Sequence, residues 1–167
     1  MGIWASKRVE KALGNSPEFE VSCDYVYEEC LTLTQHAFPG VRPYQLFGAS
    51  ESLHLRLSEV GYPLVKKWVP SPPTRIQVDT ALRALVSMDE QTQTLGLGPA
   101  EFKAFAVEVF RDAIVSNAQQ DVLRRVPIGI AGIAGIGMAT RSGRDLVGSV
   151  MGVYALGVAT AVYLSLS

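Results

Sequence analysis

The sequence predicts a mostly α-helical protein, with a helical head at residues 1–125 and a glycine-rich apolar tail at residues 126–167. Apolar side chains in the head recur at helical spacing, and no segment shows the clear alternation of a half-buried strand. The tail carries only three charged residues, Arg141, Arg144 and Asp145. We therefore expect the tail to form a transmembrane helix or a helical hairpin.

The first element, residues 1–15, is predicted to be a basic segment acylated at Gly2. Met1, Gly2 and Ser6 match the pattern for N-myristoylation, which would make the source eukaryotic. The nearby cations are Lys7, Arg8 and Lys11. One myristoyl chain binds membranes only marginally, so these cations or the apolar tail are expected to supply a second anchor.

Residues 16–69 are predicted to form a helical region. Ser16 is a suitable N-cap and Pro17 fits the first helical position, so a helix is expected from there to about residue 37, before the breaker Phe38-Pro39-Gly40. A second helix is expected at 51–60, capped by Ser50 and stopped by Gly61-Tyr62-Pro63. A short element follows at 64–68.

A proline-rich linker at 70–73 leads to a predicted helix-loop-helix at 74–125. Thr74 or Asp79 is the expected start of its first helix, and a polar stretch follows at 89–94. The second helix is expected from Ala100 onward. The sequence shift at Arg124-Arg125 is the predicted boundary with the tail.

The segment Leu-Gly-Pro-Ala-Glu-Phe-Lys-Ala-Phe, which begins at Leu97, resembles the exiting half of an EF-hand. Leu97 matches the apolar position of the loop, Glu101 the terminal bidentate glutamate, and Phe102 and Phe105 the packing pair. The resemblance implies a calcium loop at 90–101. The oxygen ligands that it implies are Glu90, Thr92, Thr94 and Glu101.

The entering half of this loop departs from the EF-hand pattern. Position six requires a sharp turn that glycine supplies, and Leu95 stands there instead. Few charged oxygens are available for a cation that takes six to eight ligands. A helix-loop-helix that packs without metal is therefore the alternative, so no cofactor is expected beyond calcium and a myristoyl group at Gly2.

The remaining reactive side chains predict no catalytic site. Cys23 and Cys30 lie seven residues apart, which on a helix is about 10 Å and too far for a disulfide, so buried free thiols in a reducing compartment are expected. His36 and His54 lack the neighbours of a metal or catalytic motif. The protein is therefore interpreted as a non-enzyme.

The tail contains two uncharged runs, at 126–140 and 146–166. The second is long enough to span a bilayer alone, whereas the first is short. Pro127 is expected in the first turn of a new helix. Small residues let membrane helices approach closely, and the predicted packing positions are Gly129, Gly132, Gly135, Gly148 and Gly152.

Two membrane topologies and one soluble alternative follow from this tail. In the hairpin, the Gly148/Gly152 pair is the expected contact with the first run, and Gly152→Leu is expected to disrupt it. In the tail-anchored form only the second run spans. A core hairpin of a soluble protein is the third interpretation of the same pattern.

These features predict a membrane-anchored, non-enzymatic adaptor or accessory subunit, whose head binds protein partners and faces the cytosol. The net charge of −1 gives no general attraction to nucleic acid. The alternatives are a calcium-responsive membrane protein and a small channel or translocation component. The tail is similar to the anchors of organelle outer membranes, although the sequence does not identify the membrane.

Overall fold

The computed structural model describes residues 2–87, 96–139 and 144–166, and within these ranges the predicted mostly helical fold is confirmed. A short 3-10 turn at Pro43–Gln45 precedes the third helix. The α-helices of the described ranges are α1 (Gly2–Gly14), α2 (Pro17–Leu33), α3 (Leu46–Val60), α4 (Pro63–Trp68), α5 (Arg75–Val86), α6 (Pro99–Ala139) and α7 (Arg144–Leu164).

The predicted starts of two helices are confirmed by their caps. The Ser16 hydroxyl accepts a hydrogen bond from the Phe19 backbone N–H at 3.2 Å, with Pro17 opening α2. Thr74 caps α5, and the side chain of Gln77 accepts from the Thr74 N–H at 3.0 Å in a reciprocal capping box. Thr74, rather than Asp79, is therefore the start of this helix.

Two predicted helix boundaries in the head were wrong. Helix α2 ends at Leu33 instead of about residue 37, because Gln35 and His36 adopt positive φ angles of 52° and 55°. Helix α3 begins at Leu46 instead of 51, so Ser50 lies inside it and its hydroxyl donates to the Phe47 carbonyl at 2.7 Å. A buried serine is tolerated in a helix when it bonds to the preceding turn.

Helix α1 was not predicted, because residues 1–15 were interpreted only as a basic acylated segment. Its three fully buried side chains recur every fourth residue, Ala5, Val9 and Leu13. They pack the helix against α6. The acylation candidate is therefore attached to a folded part of the head.

Helix α6 is the central helix of the head, because α1, α2, α4, α5 and α7 all contact it. Its rings at Phe102, Phe105 and Phe110 are buried. Phe110 meets Phe19 of α2 edge to face, with ring centroids 6.1 Å apart. The ring centroids of Tyr27 and Phe102 are 5.8 Å apart. Aromatic contacts of this kind join α2 to α6 over two helical turns.

Helix α6 also continues across the predicted boundary at 125/126. One helix runs from Pro99 to Ala139, so Pro127 lies in its interior instead of in the first turn of a new helix. Proline removes one backbone hydrogen bond and crowds the preceding turn. The helix nevertheless continues from the head into the tail.

Helix α7 is apolar and long enough to cross a membrane, over Leu146–Leu164, with a mean hydropathy of 1.7. Only 6% of this apolar stretch is buried within the protein. Two residues near its end belong to the head core, Val162 and Leu166. The helix therefore leaves most of its apolar surface uncovered while its last turn is packed.

Candidate functional site

Two loops of the head are joined by an isolated antiparallel bridge between Val41 and Leu97. Each residue donates its backbone N–H to the other's carbonyl, both at 2.9 Å. The Val41 loop connects α2 to α3, and Leu97 precedes α6. The bridge therefore joins the segment between α2 and α3 to the residues directly before α6.

This pairing of loops was not predicted, although a repeat in the chain points to it. Residues 40–46 read Gly-Val-Arg-Pro-Tyr-Gln-Leu, and residues 96–102 read Gly-Leu-Gly-Pro-Ala-Glu-Phe. Both segments have the same residue types at five positions, namely glycine, an aliphatic residue, proline, an amide or acid, and an apolar residue. Gln45 in the first unit thus corresponds to Glu101 in the second.

Both glycines of the repeat are required by the close approach of the two loops. A Cβ on Gly40 would lie 2.5 Å from the Leu97 carbonyl oxygen, which is backbone and has no room to move. Gly96 has a φ of 86°, in the left-handed region that side chains disfavour, and its Cβ would lie 3.0 Å from the Val41 oxygen. The bridge is therefore encoded by glycine at both loops.

The first loop is closed by its own hydrogen bonds. The Gln45 Oε1 accepts from the Arg42 N–H at 3.0 Å, and its Nε2 donates to the Cys30 carbonyl at 2.9 Å. No Asp or Glu occurs at residues 34–45. The oxygens of this loop do not match the carboxylate-rich ligand set of a calcium loop.

In the second loop only Glu101 of the predicted ligands is described. Its carboxylate folds over Gly98, where a Cβ would lie 2.6 Å from Oε2. The other predicted ligands lie outside the described residues, namely Glu90, Thr92 and Thr94. Within the described part of the chain, no group of three or more His, Cys, Asp or Glu side chains is placed to hold a metal.

The N-terminus presents an apolar, exposed surface. Gly2 is exposed, and the side chains of Ile3 and Trp4 are 72% and 77% exposed. Glu10 of α1 pairs with Arg111 of α6 at 3.6 Å, and a groove brings the end of α1 beside the start of α6. The two helices are therefore antiparallel, and the N-terminus points toward the tail end of the head.

Helices α6 and α7 form an antiparallel hairpin whose close contact is at Gly129. A Cβ on Gly129 would overlap the Tyr154 ring, and the Tyr154 hydroxyl donates to the Arg125 carbonyl at 3.4 Å. A Cβ at the other predicted packing positions would meet no atom within 4 Å, namely Gly132, Gly135, Gly148 and Gly152. Among the described residues, the close contact of the hairpin is therefore at Gly129.

Gly129→Leu is expected to weaken the hairpin, because the new side chain must displace the Tyr154 ring. Overpacking of this kind costs about 1–3 kcal/mol. The measurement is thermal unfolding of the detergent-solubilised protein. Gly132→Leu is the matched control, since its Cβ enters open space, and equal destabilisation by both variants would contradict the contact.

The end of α7 is docked on the head. Trp68 Nε1 donates to the Ser165 carbonyl at 3.4 Å, and the Arg8 guanidinium lies 4.9 Å from the centroid of the Tyr163 ring. Leu166 is fully buried. The chain thus leaves the head along α6 and returns to it along α7, so the two helices form a hairpin.

The two cysteines are free and buried, which confirms the prediction of buried thiols. Burial raises the pKa of Cys23 from 9.0 to about 12 and that of Cys30 from 9.0 to about 11. Both side chains therefore stay protonated near neutral pH. Because the thiolate is the reactive form, they are unreactive there. His54 likewise has a structural partner, the Val69 carbonyl, at 2.7 Å from Nε2.

We expect both thiols to react with a thiol reagent at pH 8 at least about 100-fold more slowly in the folded protein than after denaturation. The folded state holds these protons more tightly than the unfolded state. The contribution of these thiols to the free energy of unfolding is therefore fully present below the ordinary thiol pKa of 9.0. It decreases as the pH rises above that value. Fast labelling of the native protein would contradict the burial.

Comparisons with protein-family models, with curated proteins and with solved structures return no match to this chain. The basis for assigning a function is therefore the chemistry and geometry of its own residues.

Proposed function

We propose that this protein is a membrane-anchored, non-enzymatic adaptor or accessory subunit of a membrane protein complex, with its helical head facing the cytosol. The observation that supports this most is the apolar surface of α7. Its candidate span at Leu146–Leu164 is only 6% buried by the rest of the described chain. A core hairpin of a soluble protein would bury such a helix, whereas lipid or another membrane helix covers it here.

Two anchors at one end of the molecule support the same proposal. From Glu10, which pairs with Arg111, eight residues of helix lead back to Gly2, or about 12 Å at ~1.5 Å per residue. Gly2 therefore lies roughly level with residue 119 of α6, near the base of the hairpin. A myristoyl group at Gly2, with the exposed Ile3 and Trp4, adds a second signal to the apolar hairpin.

The length of the hairpin favours contact with further membrane helices. Beyond Arg125, the apolar part of α6 covers residues 126–139, which is roughly 21 Å at ~1.5 Å per residue. The hydrocarbon layer is about 30 Å thick. A short apolar segment is accommodated by local thinning or by association with other helices. Gly148 and Gly152, which face open space, are the proposed positions for that association.

The head supplies a groove for a protein partner, between α1, α5 and α6. Its volume is about 1040 Å³, larger than most small-molecule sites. Leu85 and Val107 provide apolar lining, and the charged lining residues are Lys7, Glu10, Lys11, Lys103, Glu108 and Arg111. This mixture of apolar and charged groups fits a peptide segment of a partner.

Carbonate extraction of cell membranes and flotation on vesicles test the anchoring. We expect the full chain to remain with the membrane. The Gly2→Ala variant should lose incorporation of labelled myristate and yet stay with the membrane through the hairpin. Release of the full chain into the soluble fraction would overturn the proposal.

Calcium responsiveness is the second candidate function, and the paired loops support it. Leu97, four positions before Glu101, is apolar and forms the bridge to Val41. Phe102 and Phe105, which follow Glu101, are buried. An EF-hand-like unit is expected to have these features. Calcium titration by calorimetry, with Glu101→Gln as control, tests this function. Absence of binding up to about 1 mM calcium, the weak end for such loops, would exclude it.

A further inference from the structure

A small cavity with cationic walls lies at the base of the hairpin. Its volume is about 260 Å³, which suits a polar headgroup better than an acyl chain. It lies between the end of α4 and the turns of α6 just before the apolar segment. The lining residues used below are Lys67, Trp68, Gln120, Asp121, Arg124 and Arg125.

The walls of this cavity are held in place by hydrogen bonds between distant parts of the chain. Asn117 Nδ2 donates to the Trp68 carbonyl at 2.6 Å, which joins α6 to the end of α4. The Trp68 indole is buried and donates to Ser165 beyond α7. The cavity is therefore formed by the end of α4 and by α6, where the hairpin leaves the head.

The charges around the cavity favour an anion that also carries a hydrogen-bond donor. Lys67, Arg124 and Arg125 face a single lining carboxylate, Asp121. The Asp121 Oδ1 accepts from Arg125 Nε at 2.9 Å. Its Oδ2 is buried and has no hydrogen-bond partner in the described part of the chain, so a donor from a ligand would satisfy it.

We propose that this cavity binds the headgroup of an anionic phospholipid that carries a hydroxyl or ammonium donor. The proposal rests on the membrane anchoring proposed above, because an inserted hairpin places the cavity at headgroup depth. Apolar side chains beside the cavity are exposed, with Leu123 at 69% and Ile128 at 75%. The phosphate contacts Lys67 and Arg124, and the donor reaches Asp121.

The test uses the full chain in neutral detergent with Trp4→Phe as background, so that Trp68 reports binding by fluorescence. Dioctanoyl phosphatidylglycerol is the probe. We expect saturable binding of this lipid and none of dioctanoyl phosphatidylcholine. Glycerol 3-phosphate and inorganic phosphate distinguish a lipid site from a site for soluble phosphate, and equal affinity for either would overturn the lipid assignment.

The variant Lys67→Gln/Arg124→Gln removes two cations of the cavity. Because both cations attract the phosphate, the affinity should fall at least about tenfold. The matched control is Lys66→Gln/Arg83→Gln, which removes the same charge from exposed positions outside the cavity. Equal losses in both variants would show general electrostatic attraction and overturn the site.

The outcome is separable from that of the anchoring experiment. Membrane retention of the full chain together with no headgroup preference would reject the cavity and leave the anchoring intact. Headgroup binding by a chain that carbonate releases would reject the anchoring instead. Circular dichroism of both double variants verifies that each one is folded.

Discussion

The Val153→Lys/Leu156→Lys variant is expected to lose membrane retention. These two side chains are 72% and 70% exposed and lie one helical turn apart on α7, so they face lipid in the proposed arrangement. A lysine at the centre of a membrane helix costs about 2.5–3.5 kcal/mol. The pair therefore opposes insertion by roughly 5–7 kcal/mol, which carbonate extraction detects as release into the soluble fraction.

The matched control is Leu33→Lys/Val60→Lys, which introduces the same charges on the head. Leu33 and Val60 are 75% and 56% exposed and lie at the ends of α2 and α3. This variant should stay with the membrane. If the α7 variant also remained in the membrane pellet as a folded protein, lipid exposure of this face would be rejected.

Leu166→Ala is expected to destabilise the whole head, although this residue lies in the tail region. Its side chain is fully buried in the core. Removing a buried leucine side chain beyond Cβ costs about 2–5 kcal/mol. We expect a lower thermal unfolding temperature of the detergent-solubilised protein, measured by circular dichroism.

Leu164→Ala provides the control for this prediction, because it is the same substitution two residues earlier at a side chain that is 57% exposed. Exposed substitutions change stability by about 0.5 kcal/mol or less. Similar unfolding temperatures for the two variants would show that the end of α7 does not dock on the head.

The docked end of α7 also affects the stability expected for a head that is truncated at residue 125. From the charge distribution alone, a chain ending at residue 125 would be expected to fold by itself. That truncated chain would lack Val162 and Leu166, which belong to the core in the structure. The loss of membrane binding by such a truncation would therefore be mixed with a loss of stability, whereas point substitutions on α7 separate the two effects.

Local signals predicted the helical class and several helix ends. Ser16 and Thr74 cap helices through bonds to residues only three positions away, and Gly61 ends α3 with a φ of 78°. Such signals act within one helical turn and are readable from neighbouring residues. The helix at 2–14 was not predicted, because its short basic sequence also matches the acylation pattern.

The candidate site was less predictable, because its contacts join distant residues. The repeat at 40–46 and 96–102 was present in the sequence, but only the Val41–Leu97 bridge shows that the two loops pair.

The glycines of the tail illustrate the same limit. All have the same local pattern of small and apolar neighbours, yet among the five predicted positions only Gly129 has a neighbour within 4 Å of an added Cβ.

The sequence by itself determined a helical protein with buried thiols and an apolar C-terminal helix, since helical period, caps and composition operate over a few residues. Tertiary structure decided that α6 continues through Pro127 and that the last turn of α7 returns to Trp68. Both outcomes depend on packing between segments far apart in the chain. Their free energy comes from burying surfaces against each other, which no local pattern records.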